Sequence, residues 1–366
     1  MKNKKNLKFE KKQLMFLGII IVAILLIASV AVIMMSNNDG NGDGSNNGAG
    51  NGDGTNGNGD GSSGDGDGDG DNSNGGSQLT GNWIDLSGNI EGNPYNPYFT
   101  DVHAIGDEVW LTSITNDIHY SANGGATFTT QSVGTSTYSI FMKSRTEGYV
   151  TAGTGRVYGT TDGSTWNVLG GTLLNPINSI SFPLNGDGHI CGNNGWVGTV
   201  DSTGITGTEQ LAVSTLFSIS CPTTSDEAWV CGASDVCMHY SGSSWKHIVL
   251  GGGSQSSVYF VPNTTEGWVV GDGGLIFHSN SGTSFSPQTN PDTLVVTLND
   301  VFSIDGQQAW IVGDGGRILH TTDGGTNWVM EAEGMTTESF QAVFFTSPTN
   351  GYAVGTNKLL LKYVGE

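Results

Sequence analysis

The sequence predicts an all-β protein: a seven-bladed β-propeller preceded by one transmembrane helix and a disordered linker. Three observations carry that expectation. A 22-residue uncharged apolar run follows a Lys-rich start, and a 43-residue stretch of almost only Gly, Asn, Asp and Ser follows the run. The remainder then repeats a short aromatic pattern seven times at about forty residues, a period that belongs to radial or stacked repeats.

Residues 1–13 hold six Lys and a single acid, Glu10, and form a basic cytoplasmic N-terminus. Residues 14–35 are the predicted span, a signal anchor. At about 1.5 Å per residue it reaches roughly 33 Å, enough for a hydrocarbon core of about 30 Å. No Lys or Arg follows until Lys143, so the positive-inside rule places the chain in the cell membrane as a single-pass protein with its propeller extracytoplasmic. Ser29-Val30-Ala31 supplies small residues for the competing reading, a cleaved signal peptide. Residues 36–78 have no large apolar side chain to offset the entropy of ordering. They form a linker of roughly 35–40 Å by random-coil scaling.

Residues 79–366 contain the repeat. An aromatic residue, a short apolar pair and a Gly recur at Trp110, Tyr149, Trp229, Trp268, Trp310 and Tyr352, with His189 in the remaining slot. The successive spacings are 39, 40, 40, 39, 42 and 42. A short apolar run precedes each anchor, and a Gly-rich turn, another strand-like run, a second turn and commonly Trp or Phe follow it. Four short strands bounded by Gly, Asn and Ser turns make a propeller blade. The seventh repeat stops after its third strand, while residues 82–86 carry a fourth-strand pattern ahead of the first repeat. Pairing the two closes the ring and removes the open edges.

The second turn reads Ser121-Ala122-Asn123-Gly124-Gly125 in repeat one, Thr160-Thr161-Asp162-Gly163 in repeat two and Thr321-Thr322-Asp323-Gly324-Gly325 in repeat six. These resemble Asp-box turns. Asn123, Asp162 and Asp323 are therefore structural: each accepts backbone N–H groups while Gly supplies positive φ.

The stretches GWVVGDGG and AWIVGDGGRILHTTDGGTNW are similar to the photosystem II stability/assembly factor family of seven-bladed Asp-box (BNR-repeat) propellers. The resemblance covers residues 79–366 and is strongest in repeats five to seven. It implies a propeller that binds other proteins during membrane-complex assembly. Relatives occur outside photosynthetic settings, so the photosynthetic role does not carry over with the fold.

Composition narrows the function. A formal net charge of -21 lacks the basic footprint of a nucleic-acid binder. No HExxH or paired CxxC is present, so no metal or cofactor is expected. His239, His278 and His320 recur at one repeat position, which spreads them around a ring. Asp-box turns also occur in sialidases, which makes an extracellular carbohydrate-binding protein or glycoside hydrolase the alternative, with a glycan as ligand. A sialidase clamp needs three Arg together. The repeat region holds only Arg145, Arg156 and Arg317, at turns on opposite faces, and the chain is read as no enzyme. Cys231 and Cys237 flank a tight turn, which leaves open a disulfide across the hairpin or two small buried hydrophobes.

The repeat region carries 7 Lys and Arg against 25 Asp and Glu. Aligned at the start of the third strand, the repeats read Asp117, Arg156, Trp196, Val236, Leu275, Arg317 and Lys358. Three of the seven basic residues share this slot. The sector of Arg156, Arg317 and Lys358, with Asp117 as counter-charge and Trp196 as aromatic anchor, is the candidate surface for an unidentified protein partner. Three unrelated solvated charges are the plainer reading.

Overall fold

Six repeats fold as expected into four-stranded antiparallel meanders, the seventh supplies three strands, and seven four-stranded sheets form the propeller. The computed structural model describes residues 82–90 and 96–365. They fall in the unit Gly75–Glu366; the other unit, Met1–Asn74, lies outside the described residues. The predicted span at 14–35 and the linker at 36–78 are therefore outside them too. Among the described residues no helix is long and apolar enough to cross a membrane.

The inner strands of blades one to seven are Phe99–Ile105, Thr137–Met142, Ile177–Ser181, Leu216–Ser220, Gln255–Phe260, Leu298–Ser303 and Phe340–Ser347. Each packs on the next, and the last packs on the first. The ring closes as the sequence predicts. Asn82–Asp85 forms the outer strand of blade seven, pairing antiparallel with Leu360–Val364 in the register Asn82 to Val364 and Trp83 to Tyr363. Lys358 lies just ahead of that third strand, in a turn at φ 57°.

The anchor aromatics are core. Trp110, Trp229, Trp268, Trp310 and Tyr352 are fully buried between neighbouring blades. Trp110 Nε1 donates to Gly163 O at 3.3 Å and Trp229 Nε1 to Gly282 O at 2.7 Å, each in a turn of the following blade. The Gly that ends the motif has a packing cause. At Gly192, Gly232, Gly271, Gly313 and Gly355, an added Cβ would collide with the backbone carbonyl of the residue just before the inner strand. His189 is smaller than Trp, and beside it a cleft of about 370 Å³ opens between blades three and four.

The three Asp-box residues do what the sequence implies. Asn123 Oδ1 accepts Thr127 N at 2.9 Å, Asp162 Oδ1 accepts Ser164 N at 2.8 Å and Thr165 N at 2.6 Å, and Asp323 Oδ1 accepts Asn327 N at 2.9 Å. The backbone N–H groups of Thr165 and Ser164 hold the Asp162 carboxyl well below its usual range.

Candidate functional site

All seven inner strands carry a β-bulge at the same level. A bulge re-aims the side chain beside it. The residue that follows is Asp101, Ser139, Ser179, Ser218, Ser257, Asp300 and Ala342 in blades one to seven. Six of these side chains form a belt that ties each blade to the next from blade one to blade seven. Ile140 N donates to Asp101 Oδ2 at 2.9 Å, Ile219 N to Ser179 Oγ at 3.2 Å, Val258 N to Ser218 Oγ at 3.2 Å and Val343 N to Asp300 Oδ2 at 2.9 Å. Ser139 Oγ also donates to Asp101 at 2.8 Å, and Ser257 Oγ to Asp300 at 2.7 Å. Ala342 offers no acceptor. Val102 N, the group it would serve, turns to Asp101 Oδ1 at 2.7 Å instead.

Two residues further along, the same strands present His103, Phe141, Ser181, Ser220, Tyr259, Phe302 and Phe344. Five of these are rings on five consecutive blades, and they touch in series. Centroid distances are 4.9 Å for Tyr259–Phe302, 4.9 Å for Phe302–Phe344, 4.4 Å for Phe344–His103 and 5.3 Å for His103–Phe141. Ser181 and Ser220 leave the arc open at blades three and four. Belt and arc together line a central cavity of about 480 Å³, within the range of ligand pockets. Lys143 and the exposed Leu184 stand at its rim.

The cavity alters the chemistry of its walls. Burial pushes the Asp101 carboxyl up to about 6, against the hydrogen bonds from Ile140, Ser139 and Val102. Burial pushes Asp300 up to about 7, with the charge of Asp101 adding to the rise. Burial also drives the His103 imidazole down to about 3, so it is neutral. Its Nδ1 is buried without a hydrogen-bond partner.

The residues singled out in the sequence are placed elsewhere. Asp117, Arg156, Trp196, Arg317 and Lys358 sit at or next to the start of the third strand of blades one, two, three, six and seven. Blades seven and one separate Arg156 from Arg317. Arg156 is exposed. Arg317 instead reaches back to the loop before its own blade, where its Nε meets Asp292 Oδ2 at 2.7 Å. Trp196 is half-buried and packs on the apolar cluster of Tyr149, Val157 and Ile177 between blades two and three. Asp117 and Lys358 are each half-buried. His239, His278 and His320 stand on three separate blades, each over its own blade's Trp at 4.3, 4.7 and 4.4 Å. Each also faces a Glu: Glu227, Glu266 and Glu331.

Of the two readings left open for Cys231 and Cys237, the structure holds the second. Cys231 and Cys237 are directly opposite each other across the hairpin, yet both are free thiols. They pack with Trp229, Val258 and Phe260 as small apolar side chains. Burial pushes the Cys237 thiol up to about 12, with Asp235 adding to it.

Sequence reasoning missed the cavity, although the repeat period contains it. The residue seven to nine positions before each anchor gives the arc. That register was passed over because those positions read as ordinary strand core.

The comparisons with known proteins agree with this architecture. Residues 255–364 match the family described as "Photosynthesis system II assembly factor YCF48", the part of the chain where the resemblance is strongest. No curated protein matches the chain. Among solved structures, YCF48 from Cyanidioschyzon merolae aligns at 15% identity and TM-score 0.62, over 77% of this chain and 98% of that one. A structure described as YCF48 bound to D1 peptide aligns at 19% identity and TM-score 0.63, over 78% and 97%. A selenomethionine-substituted virginiamycin B lyase from Staphylococcus aureus aligns at 15% identity and TM-score 0.66, over 78% and 99%. At these identities the likeness is one of fold.

Proposed function

We propose that this chain is a membrane-tethered, extracytoplasmic protein-binding module of the assembly-factor type, without catalysis of its own. The observation that carries the binding role is the match of residues 255–364 to the YCF48 family. A propeller of the same fold described as bound to a D1 peptide supports a polypeptide as the ligand. The tether is residues 14–35 with the linker 36–78, and the partner is a subunit of a membrane complex that such a linker can reach. Protease added to intact cells is expected to release a propeller-sized fragment. Protection of the propeller would overturn the orientation.

The partner surface is proposed on the face of the turns between second and third strands, around Arg156 and Lys358. Arg317 belongs to the frame of that face, because Asp292 neutralises it. The two kinds of Arg are expected to separate in one experiment. Arg156→Glu with Lys358→Glu should change stability by about 1 kcal/mol or less, and should abolish partner recovery in a pull-down from detergent extract. Arg317→Glu faces Asp292, 4% exposed at its side chain, and should cost about 3 kcal/mol. Full recovery by the folded double variant would reject the surface. A glycan-array signal or glycan hydrolysis with no protein captured would favour the carbohydrate reading.

A further inference from the structure

We propose that the central cavity is a binding site for an organic ammonium group, held between the arc of rings and the two belt carboxyls. The site is built from a break in the repeat. Asp300 and Asp101 stand on blades six and one, and Ala342 stands between them on blade seven, where four other blades carry Ser. Ala342 adds no polar group between them, and both carboxyls line the central cavity. The rings above that sector are Phe302, Phe344 and His103, in series at 4.9 and 4.4 Å. Aromatic faces attract cations, most strongly where water is excluded. Carboxylates beside them supply the opposite charge, and two carboxyls with three rings around one cavity match an ammonium in sign.

Two independent observations point the same way. His103 is buried and its Nδ1 has no partner among the described residues, and its neutrality keeps a like charge out of the site. At the rim the chain already places an ammonium on a ring: Lys143 Nζ lies 4.2 Å from the Phe182 centroid, and Phe182 continues the arc at 5.3 Å from Phe141. The excess of acidic residues attracts cations to the propeller as a whole. This site is separate from the partner surface proposed above and stands or falls without it.

The titratable groups facing the cavity are Asp101, His103, Lys143, Cys221, Tyr259 and Asp300. Burial holds His103 neutral and keeps Cys221 and Tyr259 protonated. The two carboxyls therefore carry the pH dependence: an incoming cation favours their ionised form and releases protons. Binding strengthens as pH rises through the range in which they titrate.

The test is calorimetric titration of the full chain in detergent with n-butylammonium, against 1-butanol as its neutral analogue. Saturable binding of the amine is expected at about pH 8, weaker by about ten-fold at about pH 5, with no comparable binding of the alcohol. Asp300→Ser places at blade six the residue that blades two to five use, so the belt survives, and it should weaken the amine by about ten-fold. Phe344→Leu keeps the apolar volume and should weaken it through the lost ring. A lysine-containing tripeptide with blocked ends distinguishes the source. Its binding assigns the site to a partner's lysine, and its exclusion with the amine still bound assigns it to a small molecule. Equal binding of 1-butanol, or unchanged affinity in folded Asp300→Ser, would overturn the proposal.

Discussion

Deleting residues 79–88 is expected to lower the melting temperature by about 10 °C or more. The segment supplies the outer strand of blade seven, paired from Asn82 to Asp85. Its Trp83 is 8% exposed and meets Tyr363 and Phe345 edge-on at 5.2 and 6.0 Å. Trp83 Nε1 also donates to Glu331 Oε2 at 2.8 Å, and the other oxygen of Glu331 accepts His320 Nδ1 at 2.9 Å. Loss of the strand thus strips a large aromatic from the core between blades six and seven, opens an edge on Leu360–Val364, and leaves a carboxylate half-served. Trp83→Ala alone should cost about 3–5 kcal/mol. Thermal unfolding of the two variants checks this, and a melting temperature unchanged by the deletion would reject the closure as a source of stability.

The second large effect is a dependence of stability on pH. The folded state holds Asp101 at about 6 and Asp300 at about 7, whereas an unfolded Asp titrates near 3.9. Between those limits the folded chain binds protons that the unfolded chain has released. Stability therefore falls as pH rises through this window, and the contribution of the pair is fully present only below the unfolded value. Across about pH 5 to pH 8 the loss should be a few kcal/mol, read as a falling denaturant midpoint. Asp162 and Asp323 act in the opposite sense and in a lower window, because their folded carboxyls are depressed. Their contribution is lost on acidification below about pH 4. The double change Asp101→Ser with Asp300→Ser should flatten the slope above about pH 5 and leave the acid limb in place. A slope that survives in the double variant would assign it to other groups.

Much of this was legible in the residues themselves. The anchor spacing gave seven blades, and the orphan pattern at residues 82–86 gave the closing strand, because both depend only on period and on the need to pair every edge. The Asp-box turns were legible for a similar reason: their hydrogen bonds run within four residues. The candidate surface was not. Aligning Arg156, Arg317 and Lys358 at one repeat position says that they share a level of the ring, and says nothing about what stands beside each. Arg317 meets Asp292, 25 residues earlier in the loop before its blade, and the half-buried Trp196 packs against the core between two blades.

The sequence by itself determined the all-β repeat, the number of blades, the way the ring closes and the expectation of an anchor and linker ahead of it. Tertiary structure alone decided which polar residues are spent on the fold and which face open space. Asp101 and Asp300 read as two acids among 25. They become a pair only because the ring brings blades six and one to either side of blade seven, where both line one cavity. A repeat period fixes what occupies equivalent places along the chain. Which equivalent places converge, and how dry the space between them is, follows from closing the circle.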